Sequence, residues 1–323
     1  AVTRTPYRGG MSETGRLSSR TALVTGASRG IGRGIARQLA REGARVGLSS
    51  RSATARDIRQ ETGADVPPSG TLEEAAAEIA RFGGDAHVLP CDLADDAQVA
   101  ALAARAEEAL GRIDILVLCS QFGGGIDGRF LDHPMEFYDA QMAAGPRGAY
   151  ALCRAVGPGM LAQGAGLIVT ISSTGSLVNL YSLPYRMARA ALDRLTLGLA
   201  EAFEGTGVHA VTIWPAMIRT ERVIAAAQGA PSGIPSLESF DIDAHANTPD
   251  AVGLGVAHLA TDPEIARLSG KGFGLGELAR RYGFRDIDGR EIDTPQSLSR
   301  FDVGDGRVVP PHLDRRGLLP PAE

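Results

Sequence analysis

The chain has 323 residues, a formal net charge of −5 and a hydrophobic fraction of 44%. This length allows one large α/β domain or two smaller ones. The sequence lacks a basic block, which argues against a nucleic-acid partner, and its apolar runs are too short to span a membrane. Its three cysteines form no CxxC pair and its histidines no metal-binding spacing, which fits a reduced, cytoplasmic protein without a metal.

Strand and helix patterns alternate along the chain. Short apolar runs predict strands, and apolar residues at helical spacing predict helices. Predicted strands cover residues 21–26, 44–50, 85–93, 112–120, 166–173 and 208–215, and predicted helices cover residues 34–43, 71–84, 96–111, 135–160 (disturbed at Gly145–Pro146) and 184–207. The alternation predicts a three-layer α/β fold, in which a doubly wound, Rossmann-like parallel sheet is covered on both faces by helices.

The organisation predicted from the sequence is a single domain with a C-terminal extension. We expect the domain to span residues 20–284, after a disordered leader at residues 1–19. Scattered Gly, Pro and Ser residues at 221–247 indicate a mobile substrate flap. Periodicity fades in residues 285–323, which we expect to lie over the surface or to be disordered.

The strongest motif is "TGASRGIG", from Thr25 to Gly32. It follows a predicted strand and opens a predicted helix, which is the context that gives a glycine-rich pattern meaning. Gly26 permits a tight turn. Gly30 and Gly32 let the backbone approach a pyrophosphate, with helix N–H groups pointing at the anion. The motif therefore predicts a dinucleotide site.

From about residue 20 to 275 the chain resembles the short-chain dehydrogenase/reductase family. The resemblance lies in "TGASRGIG", the "CDL" after the third strand, "GLIVTISS", the helix that begins near Tyr185, and "WPAMIRT". Further segments, including "ISSTGSLVNLYSLPY", are similar to the subgroup that contains the animal dehydrogenase/reductase family member 1. The resemblance implies a Rossmann-like fold and an oxidoreductase acting on a carbonyl or secondary alcohol of a small molecule.

The resemblance also implies where the cofactor binds. The family position that selects NAD with a carboxylate is Ser50 here, followed by Arg51, and Arg29 adds a second cation. A guanidinium without a carboxylate suits a 2′-phosphate, so we expect NADP(H). The positions implied are Gly26, Ser28, Arg29, Gly30, Ile31, Gly32, Ser50, Arg51, Asp92, Leu93, Cys119, Tyr185, Arg189, Pro215, Ile218 and Thr220.

The catalytic positions that the resemblance implies are Ser172 or Ser173, Tyr185 and Arg189. The serine would polarise the substrate carbonyl, and the tyrosine would exchange a proton while hydride moves to or from the nicotinamide. Ser173 lies twelve residues before Tyr185 and Ser172 thirteen, and both spacings stay open. Arg189 is four residues after Tyr185, on the same helix face. Its charge favours a phenolate and it can donate to ribose hydroxyls, but it does not release a proton.

Three departures from the family pattern leave other functions open. Arg189 replaces a lysine, residues 118–121 ("LCSQ") replace an Asn-Asn-Ala-Gly loop, and Gly145 replaces a water-ordering asparagine. The Ser-Tyr-Arg spacing also resembles halohydrin dehalogenases, which use the fold for non-redox chemistry. Gly30, where that family has a bulky aromatic, argues against this alternative. A third alternative is a nucleotide-binding protein with little turnover.

An apolar stripe on the Tyr185 helix predicts assembly. Its members, at helical spacing, are Ala188, Ala191, Leu192, Leu195 and Leu199. In the resembled family this helix and the one before it form a four-helix dimer interface, so we expect a homodimer or homotetramer.

Overall fold

A parallel seven-stranded sheet forms the centre of the protein, whose computed structural model describes residues 15–54, 70–121, 130–177, 181–215, 217–229 and 241–292. The strand order is β3-β2-β1-β4-β5-β6-β7, and every neighbouring pair is parallel. The strands are β1 (Thr21–Thr25), β2 (Arg45–Ser49), β3 (Ala86–Val88), β4 (Ile115–Leu118), β5 (Gly166–Ile171), β6 (Val208–Trp214) and β7 (Gly272–Gly274).

Helices connect the strands and cover both faces of the sheet. Several begin with a side-chain cap, such as Thr71 and Asp95, whose oxygens accept backbone N–H groups of the first turn. The α-helices are α1 (Gly30–Arg41), α2 (Leu72–Ala80), α3 (Asp96–Leu110), α4 (Met135–Met142), α5 (Gly148–Gln163), α6 (Leu183–Ala202), α7 (Glu221–Ala227), α8 (Ile242–His245), α9 (Pro249–Ala260), α10 (Ile265–Leu268) and α11 (Leu275–Tyr282).

Alternation along the buried strands builds two separate cores. In β1, Ala22 and Val24 belong to one core cluster and Leu23 to the other, because successive side chains of a strand point to opposite faces. The first cluster includes residues of α1, α2, α9 and α11, and the second includes residues of α3, α5 and α6. The predicted three-layer, doubly wound fold is therefore confirmed.

The strand order places the binding crevice. Chain progression reverses at β1, whose neighbours are β2 on one side and β4 on the other. Ligands of open α/β sheets bind outside the carboxyl ends of the strands at such a switch point. The glycine-rich loop follows β1 here, and Cys119–Ser120 follow β4. The motif found in the sequence thus lies where the topology predicts a ligand.

Local details refine the predicted boundaries. The disturbance expected at Gly145–Pro146 is a π-helical turn over Ala143–Arg147 that separates α4 from α5. The predicted flap at 221–247 is in part ordered by packing, because α7 and α8 lie within it and Ala226 and Ala246 are buried. Its residues 230–240 lie outside the described residues.

The start of the predicted C-terminal extension packs onto the domain. Asp286 is buried and accepts hydrogen bonds from the backbone N–H and the hydroxyl of Thr248, at the beginning of α9. Ile292 belongs to the first core cluster. The packed domain therefore continues at least to residue 292. At the other end, Leu17, within the predicted disordered leader, is buried in the first core cluster, so that prediction is wrong for residues 15–19. Residues 1–14 and 293–323 lie outside the described residues.

The stripe on α6 is divided between core and surface. Ala188 and Leu192 are buried, whereas Ala191, Leu195 and Leu199 are half-buried. The oligomeric state stays a prediction. In the part of the chain that the structure describes, no helix is long and apolar enough to cross a membrane.

Candidate active site at the sheet switch point

The glycine-rich turn after β1 is fixed by close backbone contacts. A Cβ on Gly32 would lie 2.2 Å from the carbonyl oxygen of Gly26, and one on Gly26 would lie 2.9 Å from that of Cys119. Gly26 and Gly30 have φ values of 67° and 56°, which favour glycine. The turn therefore needs these glycines, and it brings the start of α1 against the loop after β4.

Thr25 joins the ends of β1 and β4. Its hydroxyl donates to the carbonyl of Val117 at 3.2 Å and accepts from the backbone N–H groups of Cys119 and Ser120 at 3.0 and 3.3 Å. Cys119 packs against the core, and burial raises the pKa of its thiol to about 12. It therefore stays a neutral thiol and contributes packing.

The segment after β6 lies across the glycine-rich turn. The Thr220 methyl is 3.4 Å from the position that a Cβ on Gly30 would take. The Thr220 hydroxyl caps α7 by accepting from the Val223 N–H at 3.4 Å. Pro215 is buried, and the Ile218 side chain belongs to the first core cluster. Thr220 therefore has its side chain against the glycine-rich turn, whereas the Ile218 side chain points into the core.

Predicted adenosine contacts gather at the carboxyl ends of β2 and β3. The Ser50 hydroxyl is buried and has no hydrogen-bond partner among the described residues, and Arg51 beside it is exposed. Asp92 accepts from the Ala94 N–H at 2.9 Å, which folds the loop that ends in buried Leu93. The positions expected to hold adenosine and its phosphate therefore share one edge with the glycine-rich turn.

Ser173 and Tyr185 face the same point in the site. A Cβ placed on Gly175 would lie 3.3 Å from the Tyr185 ring and 3.4 Å from the Ser173 hydroxyl. Ser173 also accepts from the Gly175 N–H at 3.1 Å, which starts the short 3₁₀ turn Thr174–Ser176. The turn holds the serine hydroxyl near the phenol ring, so Ser173 is placed to act with Tyr185.

Ser172 has a different place. It is buried, and its hydroxyl donates to the backbone carbonyl of Arg189 at 3.2 Å. Adjacent residues in extended backbone point to opposite sides, which separates Ser172 from Ser173. Ser172 therefore ties β5 to α6. The sequence left the choice between the two serines open; of the two, Ser173 has its hydroxyl on the side of the Tyr185 ring.

Arg189 is buried beside Tyr185, with 2% of its surface exposed. Its guanidinium carbon is 4.9 Å from the centroid of the Tyr185 ring. Nη1 donates to the Ile171 carbonyl at 3.3 Å, and Nη2 donates to Oε1 of Gln121 at 2.5 Å. These acceptors are neutral, and no salt bridge to Arg189 is present among the described residues. Arg189 therefore presents its charge to the face of the Tyr185 ring.

Asp193, which the sequence reasoning overlooked, joins the elements behind the site. Its carboxylate accepts from the Ser176 hydroxyl at 2.5 Å and from the Trp214 indole N–H at 3.0 Å. Burial raises the pKa of the Asp193 carboxyl to about 6, against these hydrogen bonds and the positive charge of Arg189. The sequence spacing could have pointed to Asp193. Tyr185, Arg189 and Asp193 follow one another at intervals of four residues, which places them on one helix face.

Two further residues were missed. The Tyr181 ring packs edge-on against Tyr185, with centroids 5.3 Å apart, and burial raises the pKa of its hydroxyl. Arg222, on α7, has its pKa lowered by burial and by the charge of Arg29, with an opposing influence from Tyr185. The sequence spacing gives no sign that Arg222 lies near Arg29 or Tyr185, because these residues are far apart in the chain.

A doubly wound parallel sheet with a glycine-rich turn at its switch point makes this a Rossmann-like α/β protein. Residues 20–230 match the short chain dehydrogenase family, and the chain belongs to that family, whose members are oxidoreductases.

Known proteins show the extent of the similarity. Over 238 residues the chain is 35% identical to mouse dehydrogenase/reductase SDR family member 1, covering 71% of this chain and 75% of the mouse protein. It is 36% identical over 205 residues to 2-(R)-hydroxypropyl-CoM dehydrogenase of Xanthobacter autotrophicus, covering 62% and 76%. A solved structure from Xanthomonas campestris superposes with a TM-score of 0.69 at 29% identity, covering 86% and 95%.

The two serines should respond differently to substitution. Ser173→Ala should lower kcat by roughly 100-fold with little change in stability, because it removes a hydroxyl that would polarise the substrate. Ser172→Ala should leave kcat within about threefold and lower the free energy of unfolding by about 1 kcal/mol, because it removes a buried hydrogen bond. Steady-state kinetics and urea denaturation measure both, and the reverse pattern would make Ser172 the catalytic serine.

The raised pKa of Asp193 should make stability depend on pH. The folded chain holds this proton more tightly than the unfolded chain, whose carboxyl has the ordinary value of 3.8. The stabilising contribution is therefore full below about pH 3.8 and lost as the pH rises through about 6, by at most about 3 kcal/mol. Asp193→Asn should remove this fall between pH 4 and pH 7 in urea denaturation. Asp139→Asn, at an exposed position, is the control. An equal fall in the free energy of unfolding between pH 4 and pH 7 in all three proteins would contradict the assignment.

Proposed function

We propose that this protein is an NADP(H)-dependent oxidoreductase that interconverts a carbonyl and a secondary alcohol on a small organic substrate. The observation that carries the proposal is the joint position of the glycine-rich turn, Ser173 and the Tyr185–Arg189 pair at one edge of the sheet. Membership of the short chain dehydrogenase family supports the reaction class.

The residues present fit a dinucleotide. Close contacts at Gly26 and Gly32 leave no room for side chains and bring backbone N–H groups to the start of α1. Among the described residues, a Cβ on Gly30 would meet nothing nearer than the Thr220 methyl at 3.4 Å, and no aromatic side chain fills this position as in the dehalogenase alternative. The Ser50 hydroxyl, which has no partner among the described residues, and the neighbouring Arg51 suit a phosphorylated ribose.

The chain's own residues supply orientation and the proton. The cofactor, when bound, provides or accepts the hydride. Ser173 donates a hydrogen bond to the substrate oxygen, and the Tyr185 hydroxyl gives that oxygen its proton during reduction. Arg189 keeps a fixed positive charge against the phenol ring and stabilises the phenolate that remains. Arginine does not release its proton, so the tyrosine must recover its own from solvent or substrate.

Cofactor choice follows from the charge at the end of β2. Arg51→Asp should weaken NADPH binding roughly 10- to 150-fold, the equivalent of one charge-assisted hydrogen bond, while NADH binding changes little or improves. Fluorescence titration with both nucleotides measures the effect. Arg280→Asp is the control because Arg280 is an exposed arginine on α11. Equal affinity of the unaltered protein for NADPH and NADH would reject this role for Arg51.

The Tyr185–Arg189 pair is tested by turnover and binding together. Tyr185→Phe should abolish turnover and leave NADPH affinity nearly unchanged, because the phenol acts on the substrate oxygen. Arg189→Lys should retain or raise reductase activity, because lysine can also pass on a proton, and Arg189→Met should lose both rate and cofactor affinity. The matched controls are Tyr150→Phe and Arg194→Lys, at exposed positions on α5 and α6.

Deuteride transfer separates the proposal from its alternatives. Deuterium from labelled NADPH should appear in the product when aldehydes and ketones are supplied as substrates. Loss of activity in Arg189→Lys, with no deuterium in any product, would instead favour non-redox chemistry by the Ser-Tyr-Arg set. Nucleotide binding without turnover in any variant would favour the binding protein.

A further inference from the structure

The carboxylate of Glu221 lies at the N-terminus of α1. Its Oε2 accepts a hydrogen bond from the Gly30 N–H at 3.1 Å, between residues 191 positions apart in the chain. Gly30 is the first residue of this 12-residue helix, and Arg29 before it provides no side-chain cap. The first N–H groups of a helix lack partners within it and carry partial positive charge. A side chain of α7 therefore supplies the negative charge that the end of α1 attracts.

The same N–H groups are those that a dinucleotide pyrophosphate would use. A carboxylate and a phosphate cannot both accept from one N–H, and their charges repel each other at this distance. Glu221 is exposed, so its side chain has room to turn away from α1 without disturbing the core. Binding of a pyrophosphate must therefore displace this carboxylate.

Arg222, the next residue, offers the opposite charge. Its Nη1 is buried and lacks a hydrogen-bond partner within the described part of the chain. Arg222 follows Glu221 on α7, whose carboxylate contacts Gly30, so Arg222 lies beside the glycine-rich turn. Burial and the charge of Arg29 lower its pKa, and Tyr185 raises it. The like charges of Arg29 and Arg222 repel each other, and an anion bound between them would relieve that repulsion.

We propose that α7 carries both a competitor and a ligand for the cofactor phosphates. Glu221 occupies the Gly30 N–H of α1 while the site is empty, and Arg222 with Arg29 holds the phosphates once the carboxylate is displaced. This inference rests on the proposed dinucleotide function, and it assigns the two residues opposite effects on the same affinity.

The test is a set of binding measurements on the full chain. Glu221→Gln and Glu221→Ala should each bind NADPH about two- to fivefold more tightly, which is the preference a carboxylate has for a helix N-terminus. Arg222→Gln should bind NADPH roughly tenfold more weakly, and Arg222→Lys should recover part of the loss. Fluorescence titration gives each Kd, with Glu277→Gln and Arg280→Gln, both exposed on α11, as controls that should change nothing.

A second readout distinguishes competition from a general change in stability. Without cofactor, Glu221→Ala should melt below the unaltered protein, because α1 loses its charge partner, although the variant binds NADPH more tightly. Inorganic pyrophosphate, titrated in the absence of NADPH, should bind Glu221→Ala about two- to fivefold more tightly than the unaltered protein, which places the effect at the phosphates.

The results distinguish failure of the roles proposed for Glu221 and Arg222 from failure of the proposed dinucleotide function. If the unaltered protein binds NADPH but both Glu221 variants keep its Kd, the competitor role is wrong and the proposed function stands. If Arg222→Gln keeps the unaltered Kd, the ligand role of Arg222 is wrong. If the unaltered protein binds neither NADPH nor NADH at millimolar concentration, the proposed function fails and this inference fails with it.

Discussion

A guanidinium buried against a phenol ring organises the site. Burying a charge is costly unless hydrogen bonds replace water, and the acceptors around Arg189 are the Ile171 carbonyl and Gln121, together with the face of the Tyr185 ring. These contacts connect the end of β5, the loop after β4 and one face of α6. Gln121 departs from the family pattern, yet it supplies the acceptor that the larger guanidinium needs. The replacements at 121 and 189 are therefore physically coupled.

Asp193 lies one helical turn beyond Arg189 on α6, and it both holds neighbouring elements by hydrogen bonds and carries a charge opposite to that of Arg189. It accepts from Ser176 and Trp214, which belong to the 3₁₀ turn that begins at Ser173 and to the last position of β6. One half-buried carboxylate on α6 thus joins the 3₁₀ turn after β5 to the end of β6. Its charge also offsets part of that of Arg189, so its protonation near pH 6 would leave the guanidinium less compensated.

The sequence predicted those features of the structure that depend on residues close together in the chain. The alternation of strand and helix patterns predicts a parallel sheet, and the glycine motif predicts the turn after β1. The spacing of four residues predicts that Tyr185 and Arg189 lie on one helix face. It could not choose between Ser172 and Ser173, because the choice depends on how the end of β5 meets α6. The contact of Glu221 with Gly30 spans 191 residues and leaves no local signal. Parts of the segment 221–247 form helices although its composition indicated a flap, and the caps Thr220 and Asp241 were the overlooked clue.

The charges at the crevice are consistent with the dinucleotide that we propose. The charge of Arg29 lowers the pKa of Arg222 after burial does, and Tyr185 raises it, so two positive charges lie at the side of the crevice that holds the glycine-rich turn. A single halide would neutralise one of these positions and leave the other uncompensated. A dinucleotide phosphate chain could meet both, with its nicotinamide end directed toward Ser173 and Tyr185. Glu221 compensates part of this charge while no anion is bound, which explains why a carboxylate and an arginine stand side by side at the start of α7.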